Sequence, residues 1–180
     1  MRSLAEYIRL YFIIVAQYIK ARMQYRADFI ISSFGMLFSS LITLGVFWVI
    51  FDTVPDLAGW SLNEMVFIYA FYMLAISPMQ IIFDHFWQLR FNLQQGNFLK
   101  YYFRPLNMMF YYTSEIFDIK GLTQLVVGIA LLIYSAAQLH VDWTLARVGL
   151  LIITLFSAAL VQISIVVTAA CASFWVLDSY

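Results

Sequence analysis

Charge is sparse in this 180-residue chain, and cysteine, histidine and proline are sparser still. Charged residues make up 11% of it, against about 25% in soluble domains. Apolar residues make up 64%. A soluble fold of this length has no interior large enough for them, so the excess must face lipid or neighbouring helices. Acidic and basic residues balance to a formal net charge of zero, which leaves no domain-wide basic field for a nucleic-acid partner. The single cysteine, Cys171, cannot form an internal disulfide and reads as a small packing residue in an apolar run. With no Pro/Gly/Ser linker, low-complexity tract or internal repeat, residues 1–180 read as one domain.

The chemistry that is missing excludes further classes. No Gly-x-x-x-x-Gly-Lys-Ser/Thr loop exists to cradle nucleotide phosphates. His85 and His140 fall at opposite membrane edges and cannot share a metal. His140 with Asp142 reads as a solvated pair in a short connection, and His85 beside Asp84 lies in no His-Glu-x-x-His pattern. No catalytic, cofactor or metal residue is therefore expected. Charge is also absent from the middle of every long apolar run, where ion- or proton-coupled carriers place ionisable groups despite their cost. The small polar groups that do occur there, such as Ser32, Ser33, Ser39, Ser40 and Thr43, or Ser157, Gln162, Ser164 and Thr168, read as helix-packing residues.

What remains is four runs without charge. Phe29–Phe51 is about 35 Å long as a helix, enough to cross a hydrocarbon core of roughly 30 Å. The second, Met65–Phe83, follows Ser61-Leu-Asn-Glu64, a capping box that serves the free amides of a helix start, so this span is expected over 62–83. Pro78 removes one backbone bond late in this run and is expected to kink it. The third is 121–139. The fourth, 148–177, is about 45 Å long and must tilt, bend or project. Five of the Lys and Arg residues precede the first run, none lies in 52–64, four lie in 84–120 and one in 140–147. The cation rule then places both termini and the 84–120 loop in the cytoplasm. The expected fold is an all-α integral membrane protein with four transmembrane helices. An N-terminal helix, 1–26, precedes them; its polar stripe (Arg2, Glu6, Arg9, Gln17, Lys20, Gln24) suits the plane of the interface. Arg2, Arg9 and Leu10–Ala16 also resemble a signal peptide, but no small-x-small cleavage pattern follows, and the interfacial helix is preferred.

Function is expected in the 84–120 loop. Asp84, Gln88, Asn92 and Gln95 share one helical face, so the second span is expected to continue as a rigid helix beyond the membrane. Gly96 suits a left-handed cap, Asn97 can start a further turn, and Pro105 restricts Arg104 and ends it. The segment Gln95–Asn107 reads as a short aromatic helix beside Lys100 and Arg104. It offers a docking knob for a cytoplasmic partner and, through Tyr101, Tyr102 and Phe103, reads equally as part of an interfacial aromatic belt; both can hold, since a docking element at this depth also sits on lipid.

Three motifs, Tyr25-Arg-Ala-Asp-Phe29, Gly59-Trp-Ser-Leu-Asn-Glu64 and Gly96…Arg104-Pro-Leu106, keep their order and spacing against the spans. In this the chain resembles the ABC-2 permeases, the membrane subunits of ATP-binding-cassette exporters, and among them a compact bacterial subgroup. The resemblance implies a separate ATPase that binds ATP and docks on the cytoplasmic face, a second permease subunit (identical or not) around the export path, and a bacterial inner-membrane location among lipids. It also implies that the N-terminal helix and first intracellular loop contact the ATPase, which makes Gly96, Phe98, Leu99, Tyr101, Arg104 and Pro105 the coupling residues within the 95–106 loop. Such permeases have six spans, so the chain is expected to be truncated after its fourth, with the last two missing. Two other readings compete: a four-span scaffold or sensor that recruits a cytoplasmic protein, and a lipid-modifying membrane enzyme.

Overall fold

The structure, a computed structural model, describes residues 4–24, 26–54, 59–103 and 105–175. It is all-α, with no strand among the described residues. The helices are α1 (Leu4–Met23), α2 (Arg26–Thr53), α3 (Leu62–Phe83), α4 (Leu89–Gln94), α5 (Met108–Glu115), α6 (Ile119–Gln138) and α7 (Leu145–Ala172). Two 3-10 segments, Asp84–Gln88 and Asn97–Tyr101, lie on either side of α4. Among the described residues four helical stretches are long and apolar enough to cross a membrane: Ile30–Thr53, Leu62–Gln94, Lys120–Gln138 and Leu145–Ala172. The expected architecture, four span-length helices behind an N-terminal helix, is the one adopted. The fourth helix starts at Leu145, earlier than the charge pattern suggests, because Thr144 accepts from the Arg147 amide and so caps it ahead of that cation.

α3 is the central element. It buries Val66, Ala70, Met73, Ala75, Ser77 and Met79, and it packs most closely on α6. At Gly121 a Cβ would lie 2.7 Å from Ile81 Cγ1 and 2.8 Å from the Ile81 nitrogen. At Gly128 the nearest atoms belong to Leu74, at 3.1 Å. As the numbering rises on α6 it falls on α3, so the two helices run antiparallel. Between lipid-solvated helices, association rests on close van der Waals packing, and small residues permit it. The Asp118 amide also donates to the Ile81 carbonyl at 3.1 Å, tying the start of α6 to the end of α3.

The ends of α3 are set locally. Ser61 and Glu64 form the capping box: the Ser61 amide donates to Glu64 Oε2 at 2.7 Å, and the Glu64 amide to Ser61 Oγ at 3.4 Å. α3 runs through Pro78 to Phe83. The missing amide of Pro78 would have served the Leu74 carbonyl; the Ser77 hydroxyl donates to that oxygen instead, at 3.0 Å. α2 and α7 expose most of their apolar side chains, including Phe34, Phe38, Leu41 and Trp48 on the first and Ile152, Ile153, Phe156 and Val161 on the second. In a membrane protein those faces meet lipid or other helices. On α1, Glu6, Arg9, Gln17, Lys20 and Gln24 are exposed and Val15 is buried, while Arg2 lies outside the described residues. α1 is seated on the loop by Tyr7, whose ring meets Phe110 of α5 edge-on at 4.9 Å.

Candidate functional site

The helical path from Leu62 continues to Gln94, but not as one α-helix. Phe83 departs to φ −117°, ψ 4°, and Asp84–Gln88 tightens into a 3-10 turn before α4 resumes. The tighter winding turns His85, Phe86 and Leu89 into the protein together. A uniform α-helix puts Asp84, Gln88, Asn92 and Gln95 on one polar face; here Gln88 and Gln95 are exposed while Asp84 and Asn92 are half-buried. Gly96 then adopts φ 71°, the left-handed conformation that ends α4 and reverses the chain.

From Gly96 onward the segment has two faces. Phe98 (6% exposed) and Tyr101 (3%) point inward, into a cluster with Met79, Phe86, Leu89, Tyr112, Val166 and Ala170. Leu99 (60%) and Phe103 (85%) point outward, as do Tyr102 and Pro105. Alternation of this kind follows from the 3-10 period: residues 98 and 101 are three apart and eclipse on one side. The proposed coupling residues are thus divided. Gly96 forms the turn, Phe98 and Tyr101 hold the segment down, and Leu99 and Pro105 are on the outside. Arg104 lies outside the described residues, as does Tyr25 of the first motif.

Tyr112 on α5 is the hub of the inner face. Its ring lies 5.7 Å from Phe98, 5.1 Å from Tyr101, 5.1 Å from Phe86 and 4.6 Å from His85. Offset and edge-on aromatic pairs of this geometry contribute about 0.5–1.5 kcal/mol each beyond their area. The Tyr112 hydroxyl donates to the His85 carbonyl at 3.0 Å, so α5 also holds the 3-10 turn. Phe98 meets Phe174, just beyond α7, at 5.4 Å. One short segment is thereby fastened to the ends of α3, α5 and α7.

A polar clamp closes the other side. Glu115, the last residue of α5, accepts from the Tyr101 hydroxyl and from Lys100 Nζ, the latter at 2.7 Å. Burial, and then the Glu115 carboxylate, hold the Tyr101 phenol well above its ordinary range. Burial likewise pushes Tyr112 up to about 12, with Glu115 adding to it and a hydrogen bond to Asn92 opposing. The Lys100–Glu115 pair is half-exposed and worth under about 1 kcal/mol. Its main effect is to fix the direction of Lys100. Among the described residues no three His, Cys, Asp or Glu side chains converge where they would hold a metal ion.

A family model described as ABC-2 family transporter protein matches residues 34–180. The chain belongs to that family. No curated protein and no solved structure shows significant similarity to it. Membership makes it a multi-pass membrane transport component, a permease, and not itself a catalyst. The match runs from within α2 to the last residue, so it includes the whole 84–120 loop.

Sequence reasoning about this ABC-2 permease missed α5 and the role of Glu115. Asn107, whose side chain accepts from the Phe110 amide at 3.1 Å, is the N-cap signal that marks α5. Nothing local marks Glu115 as a partner of residues 14 and 15 positions earlier. Gln80 on α3 and Gln124 on α6 were missed too. Each has a buried side-chain oxygen with no hydrogen-bond partner in the chain.

Proposed function

We propose that this chain is a permease subunit of an ATP-driven exporter. A separate ATPase binds the nucleotide; this chain binds no cofactor itself. The outward face of 97–105 — Leu99, Tyr102, Phe103 and Pro105, with Lys100 beside them — docks that ATPase on the cytoplasmic side of a bacterial inner membrane. Both termini share that side by the cation distribution. A second permease subunit completes the export path, and closure of the ATPases on ATP alters the packing between the two.

The observation that carries this reading is the division of the 97–105 segment into a clamped inner face and an apolar outer face. Exposed Leu, Tyr and Phe side chains around a cation have the character of a binding hot spot. A push on them moves Phe98 and Tyr101, and through Tyr112 and Phe174 it reaches the ends of α3 and α7. The lack of charge within the spans fits an energy source outside the chain.

The test uses the full-length permease expressed with its ATPase. Leu99→Asp with Phe103→Asp removes the apolar outer face without touching the clamp. Loss of ATPase co-purification is expected, with an unchanged gel-filtration profile of the permease. Normal co-purification and transport would sink the docking assignment. Orientation is checked separately: cysteine at Phe103 in a Cys171→Ala background should label only from the cytoplasmic side.

A further inference from the structure

α3 and α6 each bury one glutamine oxygen, Gln80 Oε1 and Gln124 Oε1, and among the described residues neither has a hydrogen-bond partner. Gln124 as a whole is 3% exposed. An amide oxygen withdrawn from water without a donor carries a large free-energy cost, and lipid supplies no donor. Native interiors leave few polar groups in that condition. Two of them on a pair of closely packed helices call for a partner from outside the chain.

The contacts between the helices bring the two residues to one level. On α6, Gly121, Gln124 and Gly128 recur at steps of three and four, so they share one face. Gly121 lies against Gln80 and Ile81, with the Gln80 carbonyl carbon 3.2 Å from its Cβ position, and Gly128 lies against Met73 and Leu74. Gln124 therefore falls between two points of contact with α3, at the level of Ser77 and Pro78. It stands one turn from Gly121, about 5–6 Å away. Side chains lean toward the N-terminus of their own helix. Because the helices run antiparallel, Gln80 leans toward the level of Gln124 and Gln124 toward the level of Gln80. On α3 at that level Pro78 has no amide, and the Ser77 hydroxyl already donates to the Leu74 carbonyl at 3.0 Å. We propose that one ordered water bridges Gln80 Oε1 and Gln124 Oε1 and pins α3 to α6 beside Pro78. Donors and acceptors then balance: the two oxygens lack one donor each, and a water molecule supplies both. A direct bond between the two amides would satisfy one oxygen with the other side chain's nitrogen, and neither oxygen is satisfied. Buried waters typically bridge polar groups left unpaired in this way. The site uses the α3–α6 seam alone and does not depend on the docking assignment.

The full-length protein, with glutamine and methionine isotope-labelled, is reconstituted in lipid vesicles and read by water-edited solid-state NMR, in which magnetisation passes from water protons to nearby side chains. The two glutamine signals are identified as those lost in Gln80→Leu and in Gln124→Leu. Both should receive magnetisation well ahead of Met73, which is buried on the same helix. Gln80→Leu removes one of the two anchors, so transfer to Gln124 should fall to the level of Met73, and Gln124→Leu should do the same to Gln80. Leucine is close to glutamine in volume, and the measurement on the parent protein needs no variant to fold. Transfer to either glutamine no faster than to Met73 in the parent overturns the proposal, as does a Gln124 signal unchanged in Gln80→Leu. A close nitrogen–oxygen pairing of the two amides, seen as direct transfer between them, overturns it in favour of a dry amide pair. Glutamine signals that shift when choline chloride replaces sodium chloride also overturn it, because the site would then hold a cation and not a water.

Discussion

Replacing Gly121 with alanine sets a methyl group against the α3 backbone. The new Cβ would lie 2.7 Å from Ile81 Cγ1, 2.8 Å from the Ile81 nitrogen and 3.2 Å from the Gln80 carbonyl carbon. Comfortable contact begins near 3.5 Å, so the helices must part by roughly 0.7 Å. Backbone atoms cannot rotate out of the way as a side chain can. Overpacking of this kind costs about 1–3 kcal/mol. The Asp118 amide bond to the Ile81 carbonyl, one turn away, is stretched at the same time and adds about 1 kcal/mol. Better helix propensity returns up to about 1 kcal/mol. The net cost is about 1–3 kcal/mol. Gly128→Ala should cost less, because its 3.1 Å neighbours are Leu74 side-chain atoms. Gly35→Ala, with nothing within 4 Å, should be neutral or slightly stabilising. Unfolding by SDS titration in mixed micelles, followed by tryptophan emission, should rank the variants in that order. Adding Ile81→Ala to Gly121→Ala should recover little, since the Ile81 nitrogen stays in place. Equal stability of Gly121→Ala and Gly35→Ala would refute the antiparallel close approach.

Gly96→Ala should destabilise the loop by about 1–2 kcal/mol through its left-handed backbone alone, because a Cβ there meets nothing. Gly96→Asn should cost less, and limited proteolysis of the loop reads the difference. Glu115→Ala leaves the buried Tyr101 hydroxyl without its acceptor and should cost about 1–3 kcal/mol by denaturant titration. Lys100→Ala, at a half-exposed pair, should cost under about 1 kcal/mol. Tyr112, raised from 10.0 to about 12, favours the folded state in its neutral form. Its contribution is complete below pH 10 and lost as pH climbs through 12. Ultraviolet titration should therefore show a tyrosinate that forms near pH 12 and disappears in Tyr112→Phe, while Tyr101 ionises later still.

What was legible in the sequence is what the chain decides locally. The Ser61–Glu64 box and the left-handed Gly96 each depend on a few adjacent residues, and the spans on long uncharged runs. The inward or outward direction of single side chains was not legible. Phe98 and Leu99 are adjacent, both apolar, and opposite in burial. What separates them is Tyr112 and Phe174, distant in sequence and brought in by α5 and α7. The 3-10 turn at Asp84–Gln88 escaped for the same reason. Its winding satisfies the packing of His85, Phe86 and Leu89 and the Tyr112 bond to the His85 carbonyl, none of which an α-helical period displays. Pro78 shows the converse. A local rule announced the lost hydrogen bond, and the neighbouring Ser77 hydroxyl took up the freed carbonyl.

The clamp bears on how the aromatic loop is read. An interfacial belt needs aromatic side chains at the right depth, and a loose loop supplies that as well as a rigid one. The stretch 96–103 instead has its backbone fixed four times over: by a left-handed glycine, by two inward aromatic anchors, by the Glu115 bonds to Tyr101 and Lys100, and by the ring of Phe174. Ordering that many side chains costs conformational entropy, on the order of 1 kcal/mol for each long one. A lipid anchor gains nothing from that cost, whereas a contact that transmits force does, because a compliant joint absorbs the displacement it is given. If stiffness is the purpose, then Tyr112→Ala, which loosens the segment from beneath while leaving Leu99, Tyr102 and Phe103 in place, should preserve ATPase binding and still uncouple hydrolysis from transport. Retained coupling in that variant would return the aromatics to the belt.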